Sequence, residues 1–103
     1  MIILGIDPGL ATMGYGVINA VKGNYSVIDY GAVVTPKDCT LPQRLKQLEE
    51  GVQELIETFK PDNIAIEELF FSKNVTTGIA VSEARGVILL TAVKGLGDEV
   101  YEY

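Results

Sequence analysis

Residues 2 to 7, Ile-Ile-Leu-Gly-Ile-Asp, form a nearly unbroken apolar run that ends on a carboxylate, Asp7, followed by Pro8-Gly9. Such a run predicts a β-strand covered on both faces. Two longer runs, Tyr15 to Val21 and Tyr25 to Val34, are separated by Lys22-Gly23-Asn24, a glycine-containing loop of hairpin length. The first third of the chain therefore reads as an antiparallel meander of three strands. Thr40 and Gln43 then have the spacing of a capping box, and Leu41, Leu45, Leu48, Val52, Leu55, Ile56 and Phe59 recur at intervals of three and four. That is one apolar stripe on a helix of about five turns, ended by Pro61. Asn63 to Glu67 predicts a short buried strand, Asn74 caps a second helix that runs to about Lys94 and stops at Gly95, and Glu99 to Tyr103 predicts a fifth strand.

The second helix is apolar on more than one stripe, through Ile79, Ala80, Val81, Ala84, Val87, Ile88, Leu89, Leu90, Ala92 and Val93. It predicts packing on a sheet and on something further, such as a partner subunit. A crossover helix between the third and fourth strands makes the last two strands parallel to the first. The expected architecture is α/β: a five-stranded mixed sheet, three antiparallel strands followed by two parallel ones, with helices packed on it.

Composition narrows the chemistry. The 103 residues suffice for one domain, taken as residues 1–103, and 48% apolar with 21% charged residues exclude a disordered chain. The N-terminus has no basic segment ahead of its apolar run, and no stretch approaches the roughly 20 apolar residues of a membrane span, so a cytoplasmic protein is expected. A single Cys39 and the absence of histidine exclude an internal disulfide and the usual zinc sites. Any metal must then be held by oxygen, which favours magnesium, manganese or calcium. The net charge of -6 argues against a generic nucleic-acid binder, unless basic residues are concentrated locally or lie beyond residue 103.

A second carboxylate, Glu67, ends the run Asn63-Ile64-Ala65-Ile66-Glu67 in the way Asp7 ends the first strand. Alternation puts Asp7 on the face of Gly5 and Glu67 on the face of Ala65. If the first and fourth strands are parallel neighbours, both carboxylates emerge at one sheet edge, where open α/β sheets place their ligands. Two close carboxylates repel unless a cation lies between them, and a divalent metal is the simplest remedy. The plainer alternative is that Asp7 caps its turn and Glu67 or Glu68 is a solvated strand end.

Three other features carry less. Phe70-Phe71-Ser72-Lys73-Asn74 follows directly, and two aromatics with a lysine beside a metal site suit stacking on an unpaired base and holding a phosphate. The plainer alternative is one core phenylalanine and one solvated lysine. Gly14-Tyr15-Gly16 fits either a backbone approach to phosphate or a bend or bulge in a strand. Arg85, in an apolar helix, reads equally as a dimer contact or a surface charge.

The segments Ile3 to Gly9, Gly14 to Ile18, Leu41 to Lys46, Ala65-Ile66-Glu67, Phe70 to Asn74 and Glu83 to Val87, taken together with their spacing, resemble the RuvC family of bacterial Holliday-junction resolvases. The resemblance covers the whole chain. It implies a ribonuclease H-like fold and a homodimeric endonuclease, dependent on magnesium with manganese as the alternative ion, that nicks two strands of like polarity at a four-way DNA junction. It implies Asp7 and Glu67 as metal-binding, catalytic carboxylates and Phe70 as the aromatic that stacks on bases, with Phe71, Lys73 and Asn74 as neighbouring DNA contacts. Glu68 does not occupy the motif position. The branch-migration complex of RuvA and RuvB is an implied partner. The family completes its metal site with an acid and an Asp or His on a C-terminal helix, and Tyr103 precedes that helix. The chain is thus expected to be the N-terminal portion of a resolvase, truncated and inactive alone.

Three rival readings stand beside this one. An ATPase or sugar-kinase domain of the same superfamily also opens with a strand and an Asp, but presents a hydroxyl soon after it, where this chain has Pro8-Gly9-Leu10. The YqgF-like nucleases share the opening motif and fit Phe70 to Asn74 less well. A non-catalytic interaction module would leave the acids incidental.

Overall fold

The alternating burial of β1 (Ile2–Asp7) is the key to the fold: Leu4 and Ile6 are fully enclosed while Asp7 is exposed. The structure is a computed structural model describing residues 1–68 and 75–103. Hydrophobic runs become β2 (Thr12–Val21) and β3 (Asn24–Val34), joined by a tight turn in which Lys22 and Gly23 both have positive φ, 48° and 82°. Two successive positive φ values are what a two-residue hairpin turn of matching twist requires. The connection is thus shorter than the expected three-residue loop, Asn24 already pairs with Val21, and β2 starts three residues earlier than expected.

α1 (Leu41–Phe59) has the expected capping box: Thr40 Oγ1 accepts from the Gln43 N–H, and Gln43 Oε1 accepts from the Thr40 N–H at 2.8 Å. The helix ends at Lys60 in a left-handed conformation, φ 46°, before Pro61. β4 (Asn63–Ile66), α2 (Val75–Leu96) and β5 (Val100–Glu102) follow. The expected stop at Gly95 is wrong: the helix runs on to Gly97, whose φ of 64° turns the chain out while its N–H bonds the Val93 carbonyl at 2.7 Å. Gly95 lies within the last turn instead, where a Cβ would come 2.8 Å from Ile56 Cδ1, the end of a side chain on α1.

The strand order is β3-β2-β1-β4-β5, antiparallel from β3 to β1 and parallel from β1 to β5. One sheet face carries Leu4, Ile6, Met13, Val17, Ile64 and Ile66, all enclosed with Leu48, Val52, Ala84, Ile88 and Ala92 of the two helices. Fully burying each aliphatic side chain contributes about 1.5 to 3 kcal/mol, so this layer dominates stability. The other face is open. Gly5, Gly14, Gly16 and Ala65 lie at its centre, and Tyr30, Val34 and Tyr101 are exposed toward its margins.

Candidate functional site

Asp7 closes β1 and is followed by Pro8, which is buried, and Gly9. At Gly9 the chain folds so tightly that a Cβ would collide with the Thr12 carbonyl oxygen, so only glycine fits this turn. Across the hairpin Asp7 pairs with Gly14, where a Cβ would lie 3.6 Å from Asp7 Cβ and 4.0 Å from Oδ2. A larger side chain at 14 would cover the carboxylate. The bulge in β2 lies between Val17 and Ile18, not at Gly14 or Gly16. Gly14 keeps one flank of Asp7 clear.

The parallel ladder pairs Ile6 with Ile66, and the Glu67 N–H bonds the Ile6 carbonyl at 3.1 Å as its final rung. Asp7 and Glu67 therefore stand side by side on neighbouring strands, which lie about 4.8 Å apart. By alternation both share the open face with Gly5 and Ala65, and both are exposed. The sheet thus brings the two predicted carboxylates together. Glu68 falls on the opposite alternation, its N–H bonding the Tyr103 carbonyl at 2.7 Å. Among the described residues no third acid, cysteine or histidine joins the pair in a group able to hold a metal.

Arg85 is the residue that sequence reasoning left undecided. Its side chain, only 18% exposed, reaches from α2 to the end of the sheet. There Nε donates to the Glu67 carbonyl at 3.4 Å and Nη2 to Glu102 Oε1 at 2.7 Å. One guanidinium fork therefore ties β4, where Glu67 emerges, to β5 and to the helix layer. Among the described residues its polar contacts are an internal tie and not those of a free surface charge. The remaining predicted contacts, Phe70, Phe71, Lys73 and Asn74, lie outside the described residues.

The family model described as crossover junction endodeoxyribonuclease RuvC matches residues 3–103. The chain belongs to the RuvC family. RuvC of Alkaliphilus oremlandii is 48% identical over all 103 residues, and RuvC of Petrotoga mobilis 50% identical over the same length. The structure of T. thermophilus RuvC in complex with a Holliday junction substrate superposes with a TM-score of 0.86 at 28% identity, covering 100% of this chain and 64% of that one. The chain spans 62% and 63% of the two curated RuvC relatives. The five-stranded mixed sheet with two helices is thus that of ribonuclease H-like resolvases, as the sequence led one to expect.

Proposed function

We propose that the chain is the N-terminal part of a structure-selective endodeoxyribonuclease that resolves four-way DNA junctions in recombination and repair by metal-dependent phosphodiester hydrolysis. The observation that carries this reading is the side-by-side placement of Asp7 and Glu67 on a sheet that superposes on a junction-bound RuvC. Two carboxylates on one open face are hard oxygen donors, a set that suits magnesium or manganese, with Asp7 and Glu67 as the holding residues. Bound there, a divalent ion supplies an activated water and neutralises charge on the leaving oxygen. The chain's own residues do the rest. Gly14 leaves room at Asp7 for a phosphate to approach, and Arg85 holds the main chain at Glu67. The open face around the pair is where further ligands from a later helix have room to arrive.

The homodimer belongs to the same reading. On α2, Ile79, Leu90 and Val93 are exposed at 57%, 60% and 43%, on one helical stripe with exposed Gly86, and this stripe suits the same stripe of a second copy. The RuvA and RuvB branch-migration complex is the matching partner in the cell, and the cytoplasm the matching compartment. Among the described residues no helix is long and apolar enough to cross a membrane.

Asp7→Asn in the full-length protein tests the assignment. Junction affinity should stay within about twofold, since the shape at position 7 is kept, while nicking falls at least about a thousandfold with the loss of a charged ligand. Nicking at the unaltered rate would refute the role given to Asp7. The isolated 103-residue chain, in which no third acid, cysteine or histidine joins this pair among the described residues, should show no magnesium-dependent nicking, and cleavage by it would overturn that expectation.

A further inference from the structure

A groove of about 550 Å³ lies between the turn after Asp7 and the early part of α2. Leu10, Ala11 and Thr12 line one side and Ala80 and Val81 the other. Among the described residues its charged lining consists of Lys37 and Arg44, both cationic, in a chain whose net charge is -6. Arg44 is held in place from behind. Its Nε donates to Thr35 Oγ1 at 2.8 Å and its Nη2 to the Thr35 carbonyl at 3.3 Å. Thr35, only 2% exposed, in turn donates through Oγ1 to the Leu10 carbonyl at 2.6 Å and through its N–H to the Ala11 carbonyl at 3.0 Å. The guanidinium, α1 and the turn that follows Asp7 are therefore one hydrogen-bonded unit. Two of the five N–H groups are used on Thr35, which leaves three donors on a cation that cannot lose its proton. Lys37 is exposed and makes no ion pair among the described residues.

We propose that this groove binds the sugar-phosphate backbone of the DNA strand that enters the carboxylate site, with one backbone phosphate between Lys37 and Arg44. The inference rests on the nuclease reading above and deepens it. The chemistry matches on three counts. A phosphate takes a planar guanidinium fork and a mobile ammonium together. The described lining holds no acid, which removes the repulsion that the rest of this acidic chain would exert. Small apolar walls at Gly9, Ala11 and Ala80 accept the carbon face of a deoxyribose, whereas a free anion would need none. The groove opens at the same end of the sheet as Asp7, two residues along the chain. A strand held there is fixed in position relative to the carboxylates, and a preset position is worth much in rate. Because the contact is to phosphate, it carries no sequence preference.

The test is a salt series of junction affinity for the full-length protein and its Lys37→Ala and Lys37→Glu variants. Among the described residues the Lys37 side chain has no hydrogen bond to lose, whereas Arg44 variants would also break the Thr35 bonds. Lys37→Ala should weaken binding by about twofold to tenfold, by the same factor on junctions of different sequence. It should also lower the slope of log affinity against log salt by about one, and Lys37→Glu should do more. As a second measurement, single neutral methylphosphonates are moved one position at a time along the strand near the cleaved bond. At one position the loss seen with the unaltered protein should vanish in Lys37→Glu. Unchanged affinity and slope in Lys37→Glu, or equal methylphosphonate losses in both proteins at every position, would overturn the groove and leave the nuclease reading intact. If the unaltered protein fails to bind branched DNA, the nuclease reading falls and takes the groove with it.

Discussion

Replacing Arg85 by alanine separates what holds the sheet together from what holds the site. The Arg85 to Glu102 contact is a charge-assisted hydrogen bond of 2.7 Å, a class that contributes about 1.5 to 3 kcal/mol. Glu102 is 44% exposed, so water screens the pair and reduces the contribution to about 1 to 2 kcal/mol. With an unfolding entropy of about 2.1 cal/mol/K per residue, a 103-residue chain changes by about 0.2 kcal/mol per degree. Arg85→Ala should therefore lower Tm by about 5 to 9 °C. The bond to the Glu67 carbonyl is longer, 3.4 Å, and adds little stability, but it fixes the main chain from which the proposed metal-holding carboxylate projects. Misplacement by about 1 Å at such a site lowers the rate on the order of a hundredfold. In the full-length protein Arg85→Ala should accordingly slow single-turnover junction cleavage about tenfold to a hundredfold, with junction Kd within about threefold. Glu102→Gln is the control: it removes the ion pair and keeps the tie to Glu67, so it should lower Tm and leave the cleavage rate nearly intact. If Arg85→Ala cleaved at the unaltered rate despite its lower Tm, Arg85 would be a structural tie alone. If Kd rose in step with the loss of rate, Arg85 would be a DNA contact, and the positioning role would fail.

Two further predictions address the turn and the alkaline range. Gly9→Ala forces a Cβ onto the Thr12 carbonyl and should destabilise by about 1 to 3 kcal/mol, whereas Gly16→Ala, with nothing within 4 Å of its new Cβ, should change Tm by only a few degrees. Equal melting temperatures for the two variants would refute the close approach at Gly9. Tyr15 has its pKa raised above the usual 10, first by burial and then by the charge of Asp29, to which its hydroxyl donates at 3.3 Å. A raised folded-state value means the unfolded chain ionises first, so this contribution is whole below pH 10 and is lost as pH rises through the folded-state value. Tyr101 is raised in the same sense by its bond to Glu99, so Tyr15→Phe should reduce, not abolish, the fall in denaturant-measured stability above pH 10. An identical alkaline slope in the variant would refute the assignment.

Where a feature depends on a local pattern, it was legible in the sequence. Apolar runs gave the strands, the three-and-four spacing gave α1, and the Thr40 and Gln43 spacing gave its cap. Features set by which element lands opposite which were not legible. Gly95 and Gly97 look alike as helix stops. Only the approach of Ile56 and the left-handed φ of Gly97 tell them apart, and neither leaves a trace in local spacing. Arg85 shows its helical position in the sequence, yet its partners are 17 and 18 residues away. The role of Gly14 depends on the register of the hairpin, which puts it opposite Asp7.

Register also explains why the carboxylate pair was the most legible part of the site. Leu4, Ile6, Ile64 and Ile66 are 0 to 1% exposed, while Asp7 and Glu67, each one residue further on, are exposed at the final rung of the ladder. In a strand with period two, a slip of one residue moves every side chain to the other face. A slip of β4 against β1 would thus carry Glu67 into the apolar layer and expose Ile64 and Ile66. Burying an unpaired carboxylate is among the most costly changes a core can undergo, and exposing two isoleucines forfeits about 3 to 6 kcal/mol more. The same apolar residues that stabilise the sheet therefore fix the two acids beside one another, and an apolar run ending on an acid in each of two strands was enough to foresee that pairing.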